Sequence, residues 1–149
     1  MQRPIFAANW KMNNGPAAAK KFMDSFLASY GTRTDRTVII FAPAVSLTTV
    51  ASALAGRSDV VAGIQNVYWA EKGAFTGETS ALMARDAGAR VTLVGHSERR
   101  HVFGETDEQS FGSPDVAEPV GVLVLDHFAD ELRAARAEPS RARRRAGPS

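Results

Sequence analysis

The amino-acid sequence predicts an α/β fold with a parallel sheet, on three observations. Short apolar runs recur along the chain, and each run is apolar throughout instead of alternating with polar residues, which is typical of strands covered on both faces. Segments with a helical pattern of apolar residues separate these runs. The runs begin 22 to 33 residues apart, which leaves room for a strand, a helix and two connections. Such alternation indicates successive βα units.

The first unit begins with a strand over Pro4–Ala8, because proline is tolerated at the first position of a strand. A helix is predicted over Pro16–Tyr30, where large apolar residues recur every four positions and form one stripe. That stripe comprises Phe22, Met23, Phe26, Leu27 and Tyr30. Gly31 is expected to stop the helix.

The remaining elements follow from the same patterns. Apolar runs predict strands over Thr37–Ala42, Asp59–Ile64 and Val91–Val94, and a helical pattern covers Ser80–Ala87. Ser46 is the expected N-cap of another helix, which extends to Leu54, because a serine oxygen accepts a hydrogen bond from the first free N–H groups of a helix.

Composition excludes several classes of protein. The 149 residues contain no cysteine, which excludes disulfides, a cysteine nucleophile and thiolate metal sites. No apolar run approaches the roughly 18 residues of a membrane span, and the first residues lack the features of a secretory signal, so we expect a soluble cytoplasmic chain with no membrane partner. The motifs of a Rossmann nucleotide site, a P-loop and a hydrolase nucleophile elbow are absent from the sequence. His96 and His101 are five residues apart, which on a helix points them to different faces, so we expect no metal ion.

A shift in composition after about Gln109 predicts a boundary between residues 1–109 and residues 110–149. All four lysines lie before it, and four of the six arginines after it lie within residues 141–145. We expect residues 140–149 to be disordered, because they contain too little apolar surface to offset the entropy of ordering. The net charge of +2 and the lack of aromatic residues among these arginines argue against a nucleic-acid partner.

Polar residues follow three of the predicted strands, at the ends where parallel sheets place their active sites. The three segments are Asn9–Asn13, Gln65–Glu78 and Gly95–Glu105. Each residue alone has an ordinary structural explanation, since Lys11 is typical of a solvated lysine and His96 of a hydrogen-bonded loop histidine. Together, the lysine, asparagine, histidine and glutamate side chains predict a site that holds a phosphate or polarises a carbonyl.

The motifs in these segments closely resemble triosephosphate isomerase. Asn-Trp-Lys-Met-Asn stands at 9–13, Gly-Ala-Phe-Thr-Gly-Glu at 73–78 and Gly-His-Ser-Glu-Arg-Arg-His-Val-Phe-Gly-Glu at 95–105, in the order and spacing of that family. The resemblance covers residues 3–109. It implies a partial TIM (β/α)8 barrel, made of the first four βα units and an unrelated tail. It also implies an enzyme that interconverts dihydroxyacetone phosphate and D-glyceraldehyde 3-phosphate without a cofactor.

The resemblance assigns roles to four residues. Asn9 and Lys11 contact the substrate, and the Lys11 charge lies near the phosphate and the developing enediolate. His96 is the electrophile, and a short helix that begins just after it favours the neutral imidazole, because the positive end of a helix disfavours a second positive charge. Glu98 corresponds to the glutamate that follows this histidine in the family and lies near the lysine.

A homodimer is a further implication of the resemblance. The 65–78 loop is similar to the segment that inserts into the partner subunit in that family, with Thr76 at its tip reaching toward the other active site. Phe75 is flanked by small residues, which suits burial in a partner pocket better than exposure. The residues of the loop to which we assign docking are Gln65, Phe75, Thr76, Gly77 and Glu78.

The chain departs from the family after Gln109, whereas a complete barrel of this type has about 250 residues. The glutamate base at the end of the family's sixth strand, the mobile lid and the later phosphate-binding loops have no match in the sequence. Glu118 superficially resembles the base, but its neighbours differ and it lies only 22 residues past His96, where a fifth strand is expected. We therefore expect the chain alone to be inactive, and we interpret the tail as the product of a truncation or a shifted reading frame.

A second hypothesis is a non-catalytic chain that associates through the 65–78 loop or through the edges of its sheet. In half of a barrel the first strand has no eighth strand beside it, so we expect its edge and the concave face of the sheet to be exposed. Within the tail, Pro119–Leu125 fits a further strand and Phe128–Ala137 a further helix.

Overall fold

The computed structural model describes residues 3–106 and 123–126. The elements are, in chain order, β1 (Ile5–Asn9), α1 (Pro16–Ser29), β2 (Thr37–Ala42), α2 (Ala44–Ala53), β3 (Val60–Ile64), α3 (Ala81–Asp86), β4 (Val91–Val94), α4 (Ser97–His101) and β5 (Leu123–Asp126). The predicted alternation of strands and helices is confirmed. The strand predicted over Pro119–Leu125 overlaps β5 in three residues, while the predicted helix over 128–137 and the predicted disorder of 140–149 lie outside the described residues.

The five strands form one parallel sheet in the order β1-β2-β3-β4-β5. The register places Asn9 opposite Phe41, and Phe41 opposite Gly63. The carboxyl ends of the strands therefore meet at one edge of the sheet. The first four strands and their helices form a curled half-barrel, as the prediction of a partial (β/α)8 barrel requires.

The main core lies between the sheet and the helices. Small and medium apolar side chains of α1 and α2 pack there against the helix-facing residues of β2 and β3. The members from these four elements are Ala19, Met23, Ile40, Ala42, Leu47, Val50, Val60, Ala62 and Ile64. Burial of this apolar surface is the main free-energy term that holds the helices on the convex face.

The opposite, concave face carries a second apolar cluster with no helix residue in it. Ile39, Phe41, Val91 and Leu93 form this cluster, and each is at most 6% exposed. The Phe41 ring lies over Gly63, where an added Cβ would be 2.6 Å from the ring atom Cδ1. The expectation of an exposed concave face is therefore wrong at β2 and β4, whereas it holds at β1, where Ile5 is in register with Thr37 and is 56% exposed.

Strand β1 differs from the other strands. Ile5 is 56% and Phe6 is 53% exposed, so the prediction of a strand covered on both faces is wrong for this element. Among the described strands, β1 pairs with β2 alone, as the expectation of an open edge requires. The covering that its apolar sequence implies is therefore missing from the described part of the chain.

Helix α1 also contacts the core differently from the prediction. Ala19 and Met23 are its buried residues, whereas Phe22 stays largely exposed. The rings of Phe22, Phe26 and Tyr30 stack in a row along the helix, at centroid separations of 5.9 and 4.9 Å. The helix ends at Ser29, one residue before the predicted end, with Tyr30 as an extended C-cap, and Gly31 follows the cap as expected but without a positive φ.

Ser46 is not the N-cap of α2, which corrects the prediction. The helix begins two residues earlier, and Pro43 precedes its first residue with φ −55° and ψ 148°. Ser46 is buried inside the first turn, and its hydroxyl donates to the main-chain oxygen of Asn14 at 2.7 Å. The side chain thus anchors the loop after β1 instead of capping its own helix.

Candidate active site

The three polar segments predicted to meet do lie at the carboxyl ends of their strands. Asn9 is the last residue of β1 and Lys11 lies two residues beyond it, while Gln65 follows β3 directly. His96 and Glu98 follow β4, and Glu98 lies in the first turn of α4. The fold therefore gathers the catalytic and substrate-binding candidates of the sequence at one edge of the sheet.

Lys11 has an unusual main-chain conformation. Its φ is +53°, in the left-handed region that side chains other than glycine rarely occupy. The main-chain N–H of Lys11 donates to Oδ1 of Asn9 at 3.0 Å, which fixes the turn that follows β1. Strained main-chain geometry of this kind is concentrated at functional sites.

The Lys11 ammonium forms an ion pair with Glu98, and this contact joins the ends of β1 and β4. The hydrogen bond from Lys11 is the main cause that lowers the pKa of the Glu98 carboxyl below its ordinary value, and hydrogen bonding to its main chain adds to the effect. The lysine side chain is 61% exposed and the glutamate side chain 42% exposed, so solvent reaches both charges. A dissolved anion can therefore approach Lys11 directly.

His96 is buried at the start of α4, immediately before the helix. Its Nε2 atom lies 3.1 Å from the main-chain oxygen of Gln65. A carbonyl oxygen only accepts hydrogen bonds, so Nε2 carries the proton in this contact. The other ring nitrogen, Nδ1, lies 3.8 Å from Oε2 of Glu98, which is beyond hydrogen-bonding distance. The predicted short helix after His96 is confirmed.

Gln65 joins the three strand ends, a role that the sequence analysis did not assign to it. Its side-chain amide donates to the main-chain oxygen of Lys11 at 2.8 Å and to that of Phe41 at 3.2 Å. Its own carbonyl faces His96. The only sequence signal for this role was the position of Gln65 directly after a strand. Its contact with His96 uses the main-chain oxygen, which every residue has, so the residue type does not reveal it.

The loop after β1 is held by further hydrogen bonds. The Asn13 side chain donates to the main-chain oxygen of Trp10 at 2.8 Å, and the main-chain N–H of Trp10 donates to Phe41 at 3.1 Å. Trp10 itself is buried and packs edge-on against Phe22. These contacts fix the segment that presents Lys11, and they agree with the interpretation of Trp10 as a packing residue.

The rest of the 65–78 loop folds back on itself. Tyr68 stacks on Trp69, with ring centroids 3.9 Å apart, and its ring lies 4.6 Å from that of Phe75 at a tilt of 42°. Residues 71–78 are all exposed, including Thr76, Gly77 and Glu78. The docking role predicted for Gln65, Phe75, Thr76, Gly77 and Glu78 stays a prediction, since one chain alone does not test it.

A cleft of about 260 Å³ separates the base of this loop from the segment after α4. Trp69 and Glu78 line one part of it, and Arg99, Phe103 and Glu105 line another. Arg99 donates to Glu105 at 2.6 Å, which ties the end of α4 to the chain that follows. The cleft thus lies beside the loop and apart from Lys11 and His96.

Within residues 3–106 and 123–126, no group of three or more histidine, aspartate or glutamate side chains is arranged to hold a metal ion. The helices in the same part of the chain are too short or too polar to cross a membrane.

Known proteins match the same part of the chain. The family model for triosephosphate isomerase matches residues 4–118. The triosephosphate isomerase of Rubrobacter xylanophilus is 47% identical over 110 residues, covering 72% of this chain and 42% of the relative. Those of Acaryochloris marina and Thermoanaerobacter sp. (strain X514) are 46% and 44% identical over 108 residues, covering 72% of this chain and 44% and 43% of the relatives.

The chain spans less than half the length of the curated relatives it matches. The matched region nevertheless contains every strand and helix from β1 to α4, together with Asn9, Lys11, His96 and Glu98. The match of more than two thirds of the chain and the agreement in fold lead to one conclusion: the chain belongs to the triosephosphate isomerase family.

Proposed function

We propose that this site binds a phosphorylated triose and supplies the electrophilic part of the interconversion of dihydroxyacetone phosphate and D-glyceraldehyde 3-phosphate. The observation that carries the proposal is the convergence of Lys11 and His96 at one edge of the sheet, with Gln65 in contact with both. Asn9 lies in the same turn and contributes a polar side chain to the substrate pocket. A cation, an amide and an imidazole N–H are the groups that this substrate class needs.

The chemistry follows from where charge develops. Isomerisation moves one proton between adjacent carbons, and negative charge builds on the substrate oxygen as the enediolate forms. The Nε2–H of His96 faces the Gln65 carbonyl in the free chain and turns to that substrate oxygen as its acceptor, while the Lys11 ammonium stabilises both the phosphate and the enediolate. Glu98 holds Lys11 in place through their ion pair. No cofactor is required, because the electrons stay within the substrate.

We further propose that the 149-residue chain by itself does not turn over substrate. The proton must be removed by a base, and the sequence has no counterpart to the glutamate that serves the family in this role. A general base contributes roughly 10²–10⁴-fold to rate. The absence of matching lid and phosphate-binding segments removes substrate positioning as well. A cytoplasmic location also remains a prediction.

The test is an isomerase assay on the full chain with glyceraldehyde 3-phosphate, with detection of dihydroxyacetone phosphate and with His96→Gln as the control. We expect no turnover above that control, while dihydroxyacetone phosphate still shifts the NMR resonances of Lys11 and His96 in the wild-type chain. Turnover that disappears in His96→Gln would contradict the inactivity and make Glu118 the first candidate for a recruited base. A wild-type spectrum unchanged by the ligand would contradict the proposed substrate class.

A second candidate function is association without catalysis, and the exposure of β1 favours it. Ile5 and Phe6 are more than half exposed at an edge strand, which is the usual starting point for pairing with another chain. The partner proposed is a full-length isomerase or a second copy, docked through the 65–78 loop or through β1. Co-purification with a full-length homologue would support this function. A chain that purifies as a monomer and does not bind the full-length homologue would refute it.

A further inference from the structure

Gln65 is the one residue among those described that contacts the main chain beyond β1, the end of β2 and His96 beyond β4. Its carboxamide Nε2 donates to Lys11 O at 2.8 Å and to Phe41 O at 3.2 Å. Its main-chain oxygen lies 3.1 Å from Nε2 of His96. Because Gln65 directly follows β3, the central strand of the sheet anchors the groups that the outer strands carry.

The chemistry of these contacts uses the two halves of Gln65 differently. A carboxamide offers two N–H donors on one nitrogen, and here they serve two carbonyl oxygens. The Phe41 carbonyl belongs to the rigid sheet, whereas the Lys11 carbonyl belongs to a turn with a left-handed residue. The side chain of Gln65 therefore ties the strained turn to the sheet. The main-chain oxygen of the same residue sets where the His96 ring can point.

We propose that Gln65 is a positioning residue: through its side chain and its main-chain oxygen it holds the Lys11 turn and the His96 ring in one fixed arrangement. This inference rests on the proposed function for its purpose, but its geometry belongs to the chain alone. It gives Gln65 an intrachain role beside the docking role predicted from its position at the start of the 65–78 loop. The Lys11–Glu98 contact depends on this arrangement, because the turn that Gln65 and Asn9 hold presents the lysine to the carboxylate.

The titration of Glu98 reports on the arrangement. The Lys11 hydrogen bond is the main cause that lowers the pKa of Glu98. If the turn loosens, the lysine leaves the carboxylate for part of the time, and the pKa of Glu98 rises toward its ordinary value. A substitution that only weakened the fold would leave this titration unchanged in the molecules that remain folded.

The experiment compares Gln65→Met with the wild-type chain by carbon-13 NMR of the Glu98 carboxyl group and nitrogen-15 NMR of the His96 ring. Methionine preserves length and apolar volume but has no N–H donor. Asn66→Ala is the matched control, since Asn66 is the next residue and lines the cleft beside the loop. Lys11→Met gives the Glu98 titration for complete loss of the lysine.

We expect Gln65→Met to move the Glu98 midpoint upward by at least half of the shift seen in Lys11→Met. We also expect the His96 ring nitrogen shifts to change, although the main-chain oxygen that faces the ring is still present. Asn66→Ala should match the wild-type chain in both measurements. A Gln65→Met chain with either signal at its wild-type value would overturn the proposal.

Circular dichroism establishes first that each variant is folded. If Gln65→Met does not fold, Gln65→Glu takes its place, because it keeps the shape of glutamine while its ionised carboxylate faces two carbonyl oxygens without a donor. Failure of both variants to fold would make Gln65 a framework residue and would also overturn the proposal. Addition of dihydroxyacetone phosphate to the wild-type chain distinguishes the proposed function from the positioning role of Gln65. A lack of binding would contradict the proposed function, while the Glu98 titrations of the wild-type and Gln65→Met chains would still test the positioning role.

Discussion

Two ion pairs lie at opposite ends of the sheet, and they differ in almost every physical property. Arg57 and Asp59 meet just before β3, at the amino end of the strands, where their side chains are 15% and 1% exposed. Lys11 and Glu98 meet beyond the carboxyl ends, where solvent reaches both side chains. Each pair joins one basic and one acidic side chain, so the difference in burial determines what each pair does.

The buried pair is hydrogen-bonded on every side. Asp59 accepts from Nε and Nη2 of Arg57, both at 2.8 Å, and from the main-chain N–H of Arg33 at 2.7 Å. Arg57 also donates to the main-chain oxygen of Tyr30 at 3.2 Å and lies over its ring. This cluster connects the end of α1, the segment before β2 and the start of β3. Its role is to fix the framework.

The exposed pair contributes differently. Water competes for both charges, so an ion pair of this kind adds little to the free energy of unfolding. Because both side chains are exposed, a ligand can reach them, and the lysine charge can contact an anion. The buried pair at the amino ends of the strands thus stabilises the fold, and the exposed pair at the carboxyl ends lies among the residues to which we assign chemistry, in keeping with the general division in barrel enzymes.

Removal of Asp59 should cause the largest loss in the free energy of unfolding. Asp59→Ala leaves Arg57 buried with no carboxylate and leaves the Arg33 N–H without its acceptor. We expect the free energy of unfolding to fall by about 3–5 kcal/mol, measured by urea denaturation. Asp35→Ala is the control, because Asp35 forms an exposed pair with Arg36 and its loss should cost less than about 1 kcal/mol. Equal losses in the two variants would contradict the assigned difference between buried and exposed pairs.

Acid should remove the same contribution. The Arg57 hydrogen bonds are the main cause that lowers the pKa of Asp59 far below its ordinary value, so this carboxylate stabilises the folded chain at every pH above the unfolded pKa. That contribution is lost as the pH falls below about 4, where the unfolded chain takes up the proton first. We expect the wild-type free energy of unfolding to fall steeply between about pH 4 and pH 2. Asp59→Asn, starting from a lower value, should show a shallower decline, and parallel curves would rule out Asp59 as the source.

Neutralising Glu98, at the carboxyl ends of the strands, should have the smallest effect on the free energy of unfolding. Glu98→Gln replaces an exposed partner of Lys11, so the free energy of unfolding should change by less than about 1 kcal/mol. The same urea measurement applies, with the wild-type chain at matched pH and salt as reference. A loss comparable to that of Asp59→Ala would mean that the carboxyl end is also part of the framework.

The fold was predictable because apolar runs and their spacing report directly on buried strands. Thr37–Ala42 and Val91–Val94 were predicted with their observed bounds, since an arginine precedes each strand and a proline or a glycine follows it. The start of α2 was missed for a physical reason. Ser46 suits an N-cap by residue type, but it lies inside the first turn, where its hydroxyl donates to the main-chain oxygen of Asn14, which is distant in sequence.

The candidate site was predictable to the level of residue identity and no further. Lys11, His96 and Glu98 follow from motifs that name the residues. The left-handed conformation of Lys11 and the contact of Gln65 with His96 depend on main-chain geometry, which has no residue-type signal. The Arg57–Asp59 cluster was missed as well, because its third and fourth members come from segments more than twenty residues away.

Strand order equals chain order in this sheet, and that has a consequence for synthesis on the ribosome. Among the described strands, each new strand pairs with the strand made just before it, so this pairing requires no later segment. Each pairing closes a loop of 22 to 32 residues, which costs less entropy than a pairing between the two ends of the chain. The sheet can therefore grow in the direction of translation, with β1 and β2 paired before the codons for His96 are read.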